Sequence, residues 1–96
     1  MEFFIRPLAE NARILVEREG KPVQHYAVML QLRAEGVWQT IHLLDNAHGQ
    51  HDLHRYTGRE KQPAERFADG SVRQVMPKAI GYLISNWKGI ARSWET

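Results

Sequence analysis

The sequence predicts an α+β domain: an antiparallel meander sheet of about four strands, packed on one face by a long C-terminal helix. Apolar and polar residues alternate in the first half of the chain, as in half-buried strands. In the last quarter, apolar residues recur every three or four positions, as on one face of a helix. The chain has 96 residues, 43% of them hydrophobic, which suits a single domain over 1–96 with one core. We expect the sheet over about 12–57, a surface loop over 58–74 and the helix over about 75–94.

The first two strands are predicted from residue type and from the alternation of apolar and polar side chains. Residues 12–18 are rich in aliphatic and β-branched side chains, and Gly20 and Pro22 then favour a turn. The next segment, Val23 to Arg33, is apolar at alternate positions. Its apolar set is Tyr26, Val28, Leu30 and Leu32, and its polar set contains His25, Gln31 and Arg33. This alternation is typical of a strand with one buried and one solvated face.

Two further strands complete the predicted sheet. The short segment Ala34-Glu35-Gly36 predicts a tight hairpin into a third strand over 37–44, and so antiparallel pairing. Residues 45–50 combine Asp, Asn and Gly, which is typical of a shaped loop. A fourth strand is expected over 51–57. The polar segment 58–66, broken by Pro63, is expected to be a surface loop.

The helix is predicted from one apolar stripe: Met76, Ile80, Leu83, Trp87, Ile90 and Trp94. Proline is tolerated only in the first turn of a helix, so Pro77 places the start near Val75 or Met76. Because Trp87 and Trp94 fall on this stripe, we expect them to pack in the core and not to stack on nucleic-acid bases.

Composition excludes several classes of protein. There is no cysteine, which removes disulfides, thiolate metal sites and cysteine nucleophiles. The net charge of +2 permits approach to a polyanion but supplies little non-specific binding. No segment has the length of a membrane span or the pattern of a signal peptide, so we expect a cytoplasmic protein. Neither a phosphate-binding glycine loop nor a serine nucleophile motif is present.

The third predicted strand, the loop after it and the fourth predicted strand contain four of the five histidines: His42, His48, His51 and His54. A metal site there would use His48, His51 and Asp45, with His42 as a further candidate. Alternation limits this interpretation, because His51 and His54 are an odd number of residues apart and point to opposite faces of a strand. No familiar spacing such as H-E-x-x-H supports a metal.

Two other interpretations remain open for the same segment. In an acid–base site, a histidine would exchange protons with RNA while Arg55 neutralises a phosphate. His54 and Tyr56 would share a strand face in such a site, and Arg59 and Lys61 could add phosphate contacts. In the structural alternative, Asp45 and Asn46 cap the loop, Gly49 supplies a positive φ, and the histidines bond to backbone or solvent.

Three segments carry a resemblance to known proteins: residues 44–49 (L-D-N-A-H-G), residues 51–56 and the ending 84–87 (I-S-N-W). Together they resemble a family of short uncharacterised prokaryotic proteins with a D-N-A-H-G motif, following histidines and an N-W helix. The D-N-A-H-G segment and its histidines are also similar to TumE-like toxins of toxin–antitoxin pairs. That similarity implies a small intracellular protein acting on RNA or another essential target.

The sequence thus predicts a toxin–antitoxin-like protein that acts on RNA, with metal-independent ribonuclease as its candidate activity. The catalytic candidates are His48, His51, His54, Arg55 and Tyr56, and the binding candidates are Asp45, Asn46, Arg59 and Lys61. We expect no cofactor and no membrane. Expected partners are RNA, an antitoxin-like protein and a second copy of the chain. The alternative is a non-enzymatic interaction or oligomer-forming module with a structural histidine loop, and a metal-dependent hydrolase is third.

Overall fold

The computed structural model describes residues 1–95, which form an antiparallel sheet and one C-terminal helix. The strands are β1 (Glu2–Ala9), β2 (Ala12–Glu19), β3 (His25–Ala34), β4 (Val37–Asp45), β5 (His51–Thr57), β6 (Glu60–Lys61) and β7 (Glu65–Ala68), followed by α1 (Val72–Glu95). The sheet order is β1-β2-β3-β4-β5-β6, and β7 also pairs with β5. The α+β class is confirmed. The count of four strands is too low, because β1, β6 and β7 lie outside the predicted ones.

The N-terminal strand β1 was not expected from the sequence. It pairs with β2 in antiparallel register, with Glu2 opposite Arg18, and forms one edge of the sheet. Phe3 and Ile5 are 68% and 44% exposed. The strand lacks the alternation that marks β3, since an edge strand with little buried surface needs no apolar face.

The hairpin between β3 and β4 has the predicted position and a two-residue loop. Glu35 and Gly36 have φ values of 53° and 77°. Positive φ at both central residues is the geometry of a type I′ turn, which matches the twist of antiparallel strands.

A bulge in β4 decides which side chains face the helix. Leu30 pairs with His42 but Gln31 pairs with Thr40, so Ile41 is an extra residue on β4. Because of this extra residue, side chains before and after the bulge that a regular strand would place on one face lie on opposite faces of the sheet. Thr40 lies on the face away from the helix, where it accepts a hydrogen bond from Gln31 Nε2, whereas His42 lies on the face that α1 covers. We call these the open face and the helix face.

The core lies between the helix face and α1. Its largest fully buried side chains are Ile14, Leu30, Ile41, Leu44, Leu83, Val16, Val28 and Val75. The predicted apolar set of β3 is buried as expected. On the helix, Val75, Ala79, Leu83 and Ala91 are the buried positions, while Trp87 and Trp94 are half-buried against the core. Leu83 is buried as predicted, whereas Val75 and Ala79 are buried in place of Met76 and Ile80, and Ala91 in place of Ile90, because the buried positions recur every four residues.

The helix begins at Val72, three residues before the predicted start. Ser71 Oγ accepts a hydrogen bond from the Gln74 backbone N–H, and Gln74 Oε1 accepts one from the Ser71 N–H. This reciprocal capping box stabilises the first turn. The expectation that Pro77 lies in the first turn was wrong, since it lies in the second, at an exposed position. Its missing N–H costs one helical hydrogen bond, which the cap and the packing of Val75 offset. No helix in residues 1–95 is long and apolar enough to cross a membrane.

Candidate functional site

The histidine segment is divided between the two faces of the sheet. Strands β4 and β5 pair with His42 opposite Arg55, His54 opposite Leu43 and Asp52 opposite Asp45. Since successive residues of a strand point to opposite faces, Arg55 shares the helix face with His42, while His54 lies on the open face. The predicted catalytic residues are therefore not brought together at one place.

His51 connects β3 to the start of the helix. Its Nδ1 accepts a hydrogen bond from the Tyr26 hydroxyl at 2.7 Å, and its Nε2 donates one to the Gly70 carbonyl at 2.7 Å. The rings of Tyr26 and His51 also stack, with centroids 5.7 Å apart. Burial and the charges of Asp45 and Asp52 raise the pKa of Tyr26 to about 12, which keeps its hydroxyl protonated as a donor. Both ring nitrogens of His51 are thus used in holding the fold.

The loop between β4 and β5 is shaped by Asn46. Its Oδ1 accepts from the Tyr26 N–H at 3.0 Å, and its Nδ2 donates to the Gln24 carbonyl at 2.8 Å. Gly49 has a φ of 78° and donates its N–H to the Asn46 carbonyl. His48 is exposed on this loop. These contacts agree with the structural role expected for Asn46 and Gly49. Asp45 instead lies at the end of β4 on the open face.

The predicted basic residues lie on and beside the β5–β6 hairpin. Arg55 forms an ion pair with Glu65 and a hydrogen bond with the Tyr82 side chain. Tyr56 is half-buried and pairs with Lys61 of β6, and both Arg59 and Lys61 are exposed. This end of the sheet therefore carries the three cations Arg55, Arg59 and Lys61.

A cleft of about 540 Å³ opens between β4, β5 and the C-terminal half of α1. Its polar lining comes from His42, Arg55, Tyr56, Thr57, Tyr82, Asn86 and Ser93, and its apolar lining from Ile41, Ile90 and Trp94, with Gly89 between them. Among the described residues, the lining includes no carboxylate. The cleft thus brings together the Arg55 guanidinium, the His42 imidazole, several hydroxyl groups and the Asn86 amide.

His42 is the group in this cleft whose protonation is most perturbed. It is 6% exposed, and its Nδ1 has no hydrogen-bond partner among the described residues. Burial lowers the pKa of His42 to about 4, and the nearby charge of Arg55 adds to this, while Glu65 opposes it. The imidazole is therefore neutral at pH 7 and can accept a proton. The indole Nε1 of Trp94 is likewise buried without a partner among residues 1–95.

A second group of polar side chains lies on the open face at the ends of β4 and β5. Asp45, Asp52 and His54 each place one ligand atom within 4.8 Å of the others. All three residues are less than a tenth exposed. Two carboxylates and an imidazole are ligand types that divalent metals accept. Of the predicted metal set of His48, His51 and Asp45, this cluster contains Asp45 alone.

Comparison with known proteins identifies the family. A family model described as a domain of unknown function, DUF7718, matches residues 1–96. The chain belongs to the DUF7718 family. No curated protein and no solved structure matches this DUF7718 domain significantly. What the domain does must therefore be inferred from the cleft and the open face.

The sequence pointed to the right strands but not to the cleft. The sequence predicts for His42 only the role of an additional metal ligand, and it predicts no role for Tyr82 and Asn86. One signal was available: His42 lies an even number of residues from the apolar Leu44, and so shares its buried face. Tyr82 and Asn86 are four residues apart on a helix, a spacing that places them side by side.

Proposed function

We propose that this DUF7718 domain acts on RNA and that a phosphodiester binds in the cleft between the helix face and α1. The observation that carries the proposal is the convergence there of Arg55 with two buried polar atoms that have no protein partner among the described residues, His42 Nδ1 and Trp94 Nε1. Buried polar groups without partners are uncommon and are costly unless a ligand or water satisfies them.

The charges around the cleft suit a phosphate. Arg55 is held in place by Glu65 and Tyr82, and a guanidinium matches phosphate oxygens with two parallel donors. Arg59 and Lys61 are exposed on the adjacent hairpin and would meet neighbouring phosphates of the same strand. Resemblance to TumE-like toxins adds support for RNA as the ligand and for an antitoxin-like partner.

The same groups would suffice for cleavage without a metal in the cleft. His42, neutral at pH 7, would accept the proton of a ribose 2′-hydroxyl as its oxygen attacks the adjacent phosphorus. The new bond from phosphorus to the 2′-oxygen would close a cyclic phosphate as the bond to the 5′-oxygen breaks, and protonated His42 would then give its proton to that leaving oxygen. Arg55 would stabilise the charge that develops on the phosphate oxygens. An anionic phosphate beside Arg55 would remove only the part of the shift that the Arg55 charge causes, while burial would continue to lower the pKa of His42.

The experiment is incubation of purified, untagged protein with total cellular RNA, comparing His42→Gln and Arg55→Gln with the loop variant His48→Ala. We expect discrete cleavage by the wild type and by His48→Ala, and at least tenfold slower cleavage by the two cleft variants. Circular dichroism of each variant confirms that it is folded. Loss of cleavage in His48→Ala alone would show that the site is in the loop and not in the cleft. RNA left intact by all four proteins would rule out the nuclease activity.

The second candidate, a homodimeric interaction module, is favoured by the edge strand β1. An edge strand offers unpaired backbone groups to another strand. Antiparallel pairing of two copies about Phe4 would place Glu2 opposite Arg6 of the second copy, and Phe3 opposite its Ile5. Opposite charges and apolar side chains would then meet in register.

Sedimentation equilibrium at micromolar concentrations tests this candidate. Phe3→Lys is expected to shift a dimer to monomer, whereas Val37→Lys, at another exposed apolar position, is expected to leave it dimeric. A wild type that stays monomeric up to about a hundred micromolar rules the dimer out.

A further inference from the structure

The open-face cluster is built by the pairing of β4 and β5. Asp45 and Asp52 are direct cross-strand partners, so both side chains leave the sheet on the same face. His54 is two residues beyond Asp52 on β5 and therefore also shares that face. The pairing of the two strands alone is enough to bring two carboxylates and an imidazole together.

The imidazole of His54 presents a ring nitrogen without a partner to this cluster. Its side chain is 7% exposed, and its Nδ1 lies 3.4 Å from the Gln62 carbonyl oxygen, to which it can only donate. In the neutral ring, Nε2 then carries a lone pair. That nitrogen is 3.9 Å from Asp45 Oδ1, beyond hydrogen-bond distance, and neither atom has a partner among the described residues. In the neutral form of His54, two buried lone-pair atoms therefore face each other.

The arginine that pairs with Asp52 across the sheet does not neutralise the two carboxylates. Arg66 is the cross-strand neighbour of Asp52 from β7, yet its guanidinium bonds to Asp69 and to Gln50. Two adjacent buried carboxylates repel each other unless a positive charge lies between them. A bound cation would supply that charge and fill the gap between Nε2 and Oδ1.

We propose that Asp45, Asp52 and His54 bind a divalent transition-metal ion, of which zinc is the best-fitting example. Zinc takes carboxylate and imidazole ligands at about 2.1 Å, which in tetrahedral geometry separates ligand atoms by about 3.4 Å. The distance between His54 Nε2 and Asp45 Oδ1 is 3.9 Å, so the two side chains would have to move together only slightly to reach that separation. The Nδ1 contact with a backbone carbonyl is the usual way to orient a metal-binding histidine.

Asp45 places one member of the cluster beside solvent. Asp45 also lines an open depression of about 310 Å³ between the ends of β2, β3 and β4. Three protein ligands leave one tetrahedral position for water. The cluster lies on the opposite face of the sheet from the cleft, so the metal site does not depend on the RNA proposal.

Zinc titration of untagged, chelator-treated protein by calorimetry tests the proposal, with Asp52→Asn and His54→Gln as site variants. Matched controls are Glu10→Gln and His48→Gln, which change an exposed carboxylate and an exposed imidazole outside the cluster. We expect one zinc per chain in the wild type and both controls, with at least tenfold weaker binding in the site variants. Equal affinity in all five proteins, or no zinc bound at millimolar concentration, overturns the proposal.

A measurement on the wild type alone covers the case in which a site variant fails to fold. Side-chain nitrogen NMR follows all five imidazole rings during zinc addition. The proposal requires the His54 Nε2 resonance to shift until one zinc per chain has been added and then to stop shifting. A stoichiometric shift of His25 or His48 with His54 unchanged would contradict it.

Discussion

Replacement of His42 by leucine is expected to remove much of the pH dependence of stability below neutral pH. The unfolded chain binds a proton at His42 with a pKa near 6.5, whereas burial lowers the pKa of the folded chain to about 4. Between these values the unfolded state binds more protons, so the free energy of unfolding falls as the pH falls. The stabilisation is present above pH 6.5 and is lost progressively toward pH 4.

The magnitude follows from the two pKa values. At about 1.4 kcal/mol per pKa unit, the whole difference corresponds to about 3 kcal/mol. Between pH 7.5 and pH 5.0, where most carboxylates stay ionised, His42 contributes about 2 kcal/mol of that loss. Leucine can pack on the same face beside Leu30 and Leu44, so the variant is expected to fold.

Urea unfolding followed by tryptophan fluorescence at the two pH values gives the required free energies. The wild type and the exposed-histidine control His25→Gln should lose about 2 kcal/mol more than His42→Leu. The groups facing His42, namely Arg55, Glu65 and Tyr82, are unchanged in all three proteins. An equal loss in His42→Leu and the wild type would refute a buried, neutral His42.

Three further predictions concern the fold. Leu83 is fully buried between α1 and the sheet, so Leu83→Ala should cost about 2–5 kcal/mol in urea unfolding, and a loss under about 1 kcal/mol would contradict its placement. Ser71→Ala removes the helix cap and should cost about 1 kcal/mol by the same assay, whereas Ser85→Ala, at an exposed mid-helix position, should change stability by less than about 0.5 kcal/mol. Asn46→Ala loses two hydrogen bonds that hold the β4–β5 loop and should cost about 1–2 kcal/mol, so unchanged thermal stability would show that the loop is held otherwise.

The central sheet could be predicted because its strands bury one face. Tyr26, Val28, Leu30 and Leu32 alternate in the sequence and are buried together. Strand β1 could not be found in this way, because its exposed Phe3 and Ile5 follow no core-facing pattern. The helix start was detectable in principle from Ser71 and Gln74, whose spacing is that of a capping box.

Prediction of the site was limited by the bulge in β4. Trp38, Thr40, His42 and Leu44 alternate in the sequence and would share one face of a regular strand. The extra residue Ile41 moves Trp38 and Thr40 to the open face, where Arg13 lies 4.1 Å over the Trp38 ring, and turns His42 toward α1. A bulge depends on the packing of neighbouring strands, so alternation alone does not reveal it. The division of His51 and His54 between the two faces was predicted correctly, because the extra residue in this part of the sheet, Phe67, lies on β7 and the side chains of β5 keep their alternation.

The most direct test of the central claim is a nitrogen-15 NMR titration with a short single-stranded RNA that lacks a cleavable 2′-hydroxyl. Binding in the cleft predicts saturable shifts of the Trp94 indole Nε1–H and the Arg55 Nε–H, with the Trp38 indole, on the opposite face, unchanged. Saturable shifts confined to the loop around His48, or no shifts at millimolar RNA, would contradict the account.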